Sequence, residues 1–216
     1  PNFFDESPMT PIRLDLLGGF QASAPGGVVI PISSKKARAL LAYVASQQRP
    51  QTREKLIGLL WSSRDQAQAQ NSLRHELVEL RRAFENISPS PLVFSGDTVG
   101  FAAGMVETDI AEFERCAVNR AVESLQSAAR LFKGPFLDGL AIRDAAFDEW
   151  LMQERERLHD LAITALDRLT THLSGTAAVG AAKALLALDP LREASHRTLI
   201  RIHGMQGAAD LARRQY

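Results

Sequence analysis

Arg64, Gln68, Asn71, Arg74, His75, Arg81 and Arg82 crowd into one stretch, RDQAQAQNSLRHELVELRRAFE (64–85). A guanidinium bonds phosphate, or grips the edge of guanine with two hydrogen bonds, and a carboxamide does the same for adenine. Such chemistry needs a support that turns these groups outward. The stretch supplies one, because Ala69, Leu73, Leu77, Leu80 and Phe84 fall along a single stripe at the helical period. Arg64, Gln68, Asn71, His75 and Arg82 lie roughly opposite that stripe, with Arg74 on its shoulder. An ordinary amphipathic helix with a merely solvated face has the same pattern, so the surroundings must decide.

The surroundings are basic. Residues 31–85 carry ten cations (Lys35, Lys36, Arg38, Arg49, Arg53, Lys55, Arg64, Arg74, Arg81, Arg82) against five acids (Glu54, Asp65, Glu76, Glu79, Glu85). Residues 106–216 carry fourteen basic against sixteen acidic side chains, so the net charge of zero conceals a local positive excess. Arg81 and Arg82 near the end of the helix are placed for phosphate. So are Arg53 and Lys55 at a helix start, with Lys35 and Lys36 at another. The competing readings are solvated charges for Arg53, Lys35 and Lys36, and pairing of Arg81 with Glu85 or Glu76, or of Arg74 with a nearby acid. Glu76 and Glu79 on the helix flanks would repel phosphate if turned toward it.

At 216 residues the chain suits two domains, each able to bury a core. No apolar run approaches the roughly 20 residues of a membrane span, and PNFFDESPMTP has no signal-peptide pattern. The missing initial Met and the stop at Tyr216 lead us to expect a piece of something longer. A single cysteine, Cys116, excludes an internal disulfide and suits a reducing cytoplasm.

Along the chain, 1–11 reads as a tail and 12–32 as short strands. Ile12, Leu14 and Leu16 alternate with polar residues, Gly18-Gly19 interrupts, Phe20 and Ala22 continue, and Pro25-Gly26-Gly27 turns into Val28-Val29-Ile30. Ser33 or Ser34 caps a helix through Gln48, which Arg49-Pro50 stops. Thr52 caps the next helix, whose inner side is Leu56, Ile57, Leu59, Leu60 and Trp61. The long helix follows. After it, Pro89 and Pro91 end helical structure, and Leu92-Val93-Phe94 with Val99-Gly100-Phe101 form a hairpin tipped by Gly96-Asp97. Strands, three helices and a hairpin are the order of a winged helix-turn-helix carrying an extra sheet. Its wing tip bears Asp97 and no cation, unlike a wing built to enter a minor groove.

The run KKARALLAYVASQQRPQTREKLIGLLWS, then NSLRHELVELRRAF and the hairpin, resembles the winged-helix DNA-binding domain of the Streptomyces antibiotic regulatory protein family. The second half, from VETDIAEFERCA through LFKGPFLDGL to the end, resembles the bacterial transcriptional activator domain that follows it in such regulators. The resemblance implies a cytoplasmic regulator of transcription, probing double-stranded DNA at repeated half-sites and recruiting RNA polymerase.

From Glu107 onward the pattern reads as helical without strands. Ile110, Phe113 and Ala117, then Val122 to Phe132, mark two short helices, and Gly134-Pro135-Phe136-Leu137 a break. A long helix over 144–173 is followed by helices over 177–188 and 192–203, joined by Asp189-Pro190. Gly207 starts a further helix that continues past Tyr216 in our expectation. The spacing from Gly175 to Gly207 is close to the ~34-residue period of tetratricopeptide repeats, which stack to expose a concave surface for partners.

Nothing in the sequence organises catalysis. His75, His159, His172, His196 and His203 lack metal-ligand spacing, there is no P-loop, GxGxxG or nucleophile elbow, and Trp61 and Trp150 read as core anchors. The expectation is a mainly α chain with a small β part and without cofactor or metal. A winged-helix DNA-binding domain over 12–105 precedes an all-helical, tetratricopeptide-like activator domain over 106–216, which contacts a partner or a second protomer. The alternative is a protein-interaction or signal-input module whose winged helix no longer binds DNA.

Overall fold

The computed structural model describes residues 10–205 and 207–215, so most of the expected tail over 1–11 lies outside the described residues. Two compact units emerge. One is the described part of Pro1–Ala111 together with Gly134–Glu154; the other is Glu112–Lys133 with the described part of Arg155–Tyr216. The grouping crosses the junction at 105/106.

The first unit opens with β1 (Ile12–Asp15) and β2 (Gln21–Ser23), antiparallel with Leu14 opposite Ala22. The expected strand at Val28-Val29-Ile30 reduces to an isolated bridge between Ser23 and Val29, with Val28 and Val29 exposed. Neither has an apolar surface to cover, so the segment lacks the burial that would lengthen its pairing.

Helix α1 (Lys35–Gln47) starts at Ser34, whose hydroxyl accepts from the Ala37 amide, and ends at Gln48 in the left-handed region. A two-residue strand, β3 (Gln51–Thr52), leads into α2 (Arg53–Leu60), capped by the Thr52 hydroxyl. Helix α3 (Gln66–Ala83) starts later than the sequence suggested. Asp65 is its cap and accepts from the Gln68 amide, which leaves Arg64 in the preceding turn rather than on the helix. The stripe Ala69, Leu73, Leu77, Leu80 and Phe84 is buried throughout. Its Leu and Phe side chains contribute roughly 1.5–3 kcal/mol each on burial, more than any polar contact on the outer face.

The wing is β4 (Leu92–Ser95) and β5 (Thr98–Phe101), joined at Gly96-Asp97 as the sequence indicated. β5 also pairs with β3, giving the order β3-β5-β4. The Arg53 amide donates to the Asp97 carbonyl at 2.8 Å, tying the wing tip to the first turn of α2.

β6 (Val106–Thr108) lies parallel to β1, with Leu14 opposite Thr108. The expectation of a strand-free chain from Glu107 is therefore corrected. Three residues carry no readable period, and they become a strand because the second edge of β1 needs partners for its backbone groups. The Asp109 carboxylate, 2% exposed, accepts from the Leu16 and Leu17 amides at 2.9 Å.

Gly134–Glu154 returns to this unit as a strap. Leu17 and Phe136 form a bridge, the Leu137 amide donates to the Leu16 carbonyl, and the Gly18 amide donates to the Pro135 carbonyl. The strap approaches closely at Gly134, where a Cβ would stand 3.2 Å from the Gly18 Cα and would require the backbone to give by a few tenths of an ångström. Trp150 meets Tyr43 of α1 edge-on, with centroids 4.9 Å apart, and also packs on Phe136 and Phe147.

The second unit is helical. α4 (Asp109–Val118) and α6 (Ala145–His172) have their C-terminal parts in it; α5 (Val122–Leu131), α7 (Gly175–Leu188), α8 (Glu193–Met205) and α9 (Ala209–Gln215) complete it. Phe113 packs on Phe132, and Arg157 pairs with Glu114. α7 and α8 bury Ala178, Ala182, Leu199 and Ile202 between them, with Leu173, Val179 and Leu186 alongside. Gly175 and Gly207 both adopt positive φ at the turns that open α7 and α9, as a repeating helical hairpin requires. The protein is thus mainly α with a small β part, a winged helix-turn-helix followed by tetratricopeptide-like helices. Among the described residues no helix is long and apolar enough to cross a membrane.

Candidate nucleic-acid interface

With its apolar stripe committed to the core, α3 leaves Gln68, Asn71, Arg74, His75, Arg81 and Arg82 exposed. Arg74 donates from Nη1 to the Asn71 Oδ1 at 3.2 Å, so these two groups form a pre-oriented pair one turn apart. The amide nitrogen of Asn71 stays available outward, and His75 makes no such contact among the described residues. Arg64 is exposed in the turn and reaches back across the helix start to the Ser72 Oγ at 2.7 Å, while Ser72 donates to the Gln68 carbonyl.

The other cations divide. Arg81 lies over the Phe94 ring of the wing at 4.2 Å, which joins α3 to the hairpin. Arg82 pairs with Glu79 at 3.2 Å on an exposed face, an interaction of at most about 1 kcal/mol that a phosphate can replace. Lys55 is exposed beside Tyr43, with its Nζ 5.7 Å from the ring centroid, and Lys35 is exposed. Arg53 is half-buried, and its Nε has no hydrogen-bond partner among the described residues.

Lys36 is turned inward. Its ammonium donates to the Leu60 carbonyl and sits 4.7 Å from the centroid of Trp61. Burial pushes its pKa down, Asp144 and Glu76 act against that, and Arg64 adds to it. The sequence put Lys36 with Lys35 as a phosphate contact. Helical spacing alone cannot reveal that the ammonium serves the end of α2 instead.

Between α2, α3 and the wing tip runs an open groove of about 670 Å³, lined among others by Arg53, Gln66, Gln70, Arg74 and Asp97. Gln66 and Gln70 were not singled out from the sequence, although they share the helix face of Arg74. The surface can donate hydrogen bonds from one helix and place cations on both sides of it. Asp97 and Glu54 temper the positive charge at the wing end.

A comparison with curated protein sequences finds no match. Among solved structures, the chain is similar to Mycobacterium tuberculosis EmbR, determined in complex with a low-affinity phosphopeptide, at 24% identity and a TM-score of 0.65. The similarity covers 94% of this chain and 58% of that one, so the chain spans little more than half of EmbR's length and the likeness is one of fold. The bacterial transcriptional activator domain family, a regulatory rather than an enzymatic one, matches residues 97–216. That stretch is more than half of the chain, and the protein belongs to the bacterial transcriptional activator domain family.

Proposed function

We propose that the chain is a DNA-binding regulator of the activator type. Residues 12–105 act as its winged-helix DNA-binding domain and 106–216 as its activator domain, in the cytoplasm of a bacterium. In this reading α3 lies in the major groove of double-stranded DNA. Gln68, Asn71, Arg74 and His75 meet base edges, and Arg64, Arg81, Arg82, Arg53, Lys55 and Lys35 meet phosphates. The observation that carries it is the outer face of α3, which exposes hydrogen-bonding side chains along its length while the opposite face is wholly buried. The helical repeats then offer a surface for RNA polymerase or for a second protomer.

Fluorescence anisotropy with duplex DNA over a salt series tests this. Log affinity should fall with log salt at about −0.9 per phosphate neutralised. A flat, weak response favours the second reading, a protein-interaction or signal-input module. Support for that alternative comes from the acid-tipped wing at Asp97 and from the pairing of Arg82 with Glu79.

A further inference from the structure

Asp144 precedes α6 by one residue and comes from the strap, inside the family-matched part of the sequence but grouped with the first unit. Its side chain is 4% exposed. One carboxylate oxygen accepts from the Ser62 amide at 3.0 Å and the other from the Ser62 Oγ at 2.7 Å. Ser62 sits in the turn between α2 and α3. A two-pronged contact fixes orientation as well as distance, because both oxygens are committed to one residue. The Asp144 carbonyl also accepts from the Asp148 amide at 2.9 Å, so the same residue is held by the first turn of α6.

The turn is gripped from its other end as well. Lys36 donates to the Leu60 carbonyl, and the Arg64 amide donates to the Trp61 carbonyl at 3.1 Å. Among the described residues of this turn, the hydrogen bonds at Ser62 are the ones whose partner comes from outside 12–105. The buried stripe holds the rotation of α3, so what the turn can still set is the position of the first turn of the helix along and beside its axis, on the scale of the ~1.5 Å rise per residue. A displacement on that scale is enough to spoil the hydrogen bonds of Gln68 and Asn71 to a base edge while the helix stays packed.

We infer that Asp144 is a positioning residue for DNA recognition: by holding Ser62 it sets where α3 begins, and so which base pairs Gln68, Asn71 and Arg74 meet. The inference rests on the DNA-binding reading above. It makes the strap between the two parts of the sequence a determinant of sequence preference.

The test uses the full chain and two probes, a duplex selected from a randomised library by the wild-type protein and a scrambled duplex of the same composition. The readout is the ratio of their dissociation constants. Loss of folded protein weakens both equally and leaves the ratio untouched, so the ratio separates positioning from stability. Asp144→Ala should lower it by about tenfold, the value of one good base contact. Adding Ser62→Ala should lower it no further, since both act through one contact. Asp144→Asn keeps an acceptor for the Ser62 amide and should stay within about twofold of wild type. If Asp144→Ala does not fold, Ser62→Ala alone decides, with an expected fall of about threefold. An unchanged ratio in the folded variants overturns the inference while leaving the DNA-binding reading intact. A wild-type chain that selects no duplex and shows no salt-dependent binding overturns that reading, and the inference with it.

Discussion

Asp109→Ala tests the reasoning about how β1, β6 and α4 are assembled. The carboxylate accepts from two backbone amides, those of Leu16 and Leu17, in a site where side chain and amides are all removed from water. Truncation orphans both amides, and a buried unsatisfied donor costs about 1–3 kcal/mol. The two together come to about 2–6 kcal/mol. Deleting a carboxylate whose ionised form burial disfavours returns part of this, leaving a net loss of about 2–4 kcal/mol. Both tryptophans, Trp61 and Trp150, lie in the first unit, so urea unfolding followed by tryptophan fluorescence reports on the unit concerned. The pH dependence provides a second check. Burial pushes the Asp109 pKa up, the Leu17 and Leu16 amides pull it down, Asp15 adds to the rise and Arg13 opposes it, and the outcome is a raised value. The folded chain therefore holds this proton to higher pH than the unfolded chain does. Relative to Asp109→Asn, wild-type stability should be greatest below about pH 4, the ordinary aspartate range. It should decline as pH rises toward the raised folded value and be level beyond it. A loss below about 1 kcal/mol for Asp109→Ala, or a difference that grows with pH, would refute the account.

Four further outcomes are expected. In the anisotropy assay, Asn71→Ala and Arg74→Ala should reduce preference for a selected duplex by about 1–3 kcal/mol each, whereas Lys35→Ala should weaken all sequences alike and flatten the salt slope by about 0.9. Lys36→Ala should behave differently from Lys35→Ala, lowering the stability of the first unit by about 1–2 kcal/mol through loss of its contacts with Leu60 and Trp61. Gly100→Ala would place a Cβ 3.0–3.1 Å from three atoms of Pro50, so thermal unfolding should show a loss of about 1–3 kcal/mol as β5 is pushed off. A fragment spanning 10–105 should melt well below the full chain or not cooperatively, because it lacks the Phe136 bridge to Leu17, the Trp150 packing on Tyr43 and the Asp144 contacts with Ser62; an unchanged melting temperature would show the strap to be dispensable.

The longer elements, and the face that each buries, were legible in the residues alone. The stripe from Ala69 to Phe84 could only belong to a helix with one buried side. Thr52 was legible as a cap, and so was the pair Ser33 and Ser34, of which the structure selects Ser34, because a hydroxyl one residue before a helical run meets a backbone amide within its own turn. Gly96-Asp97 was legible as a hairpin tip because the strands it joins pair with each other within a few residues of it, whereas its tie to the Arg53 amide was not. The tertiary structure alone decided what depends on groups far apart in the chain. β3 and β6 have two and three residues, too few to show a period, and exist because β5 and β1 present free edges. Whether a charge faces water was likewise undecided, for Lys35 and Lys36 are neighbours of one type, yet only Lys36 meets Leu60 and Trp61. Nothing in the sequence singles out Asp109 or Asp144; they become structural when partners 92 and 82 residues away bring backbone amides to their oxygens. Periodicity encodes which side of an element is apolar; it carries no information about what that side, or the end of a side chain, will meet.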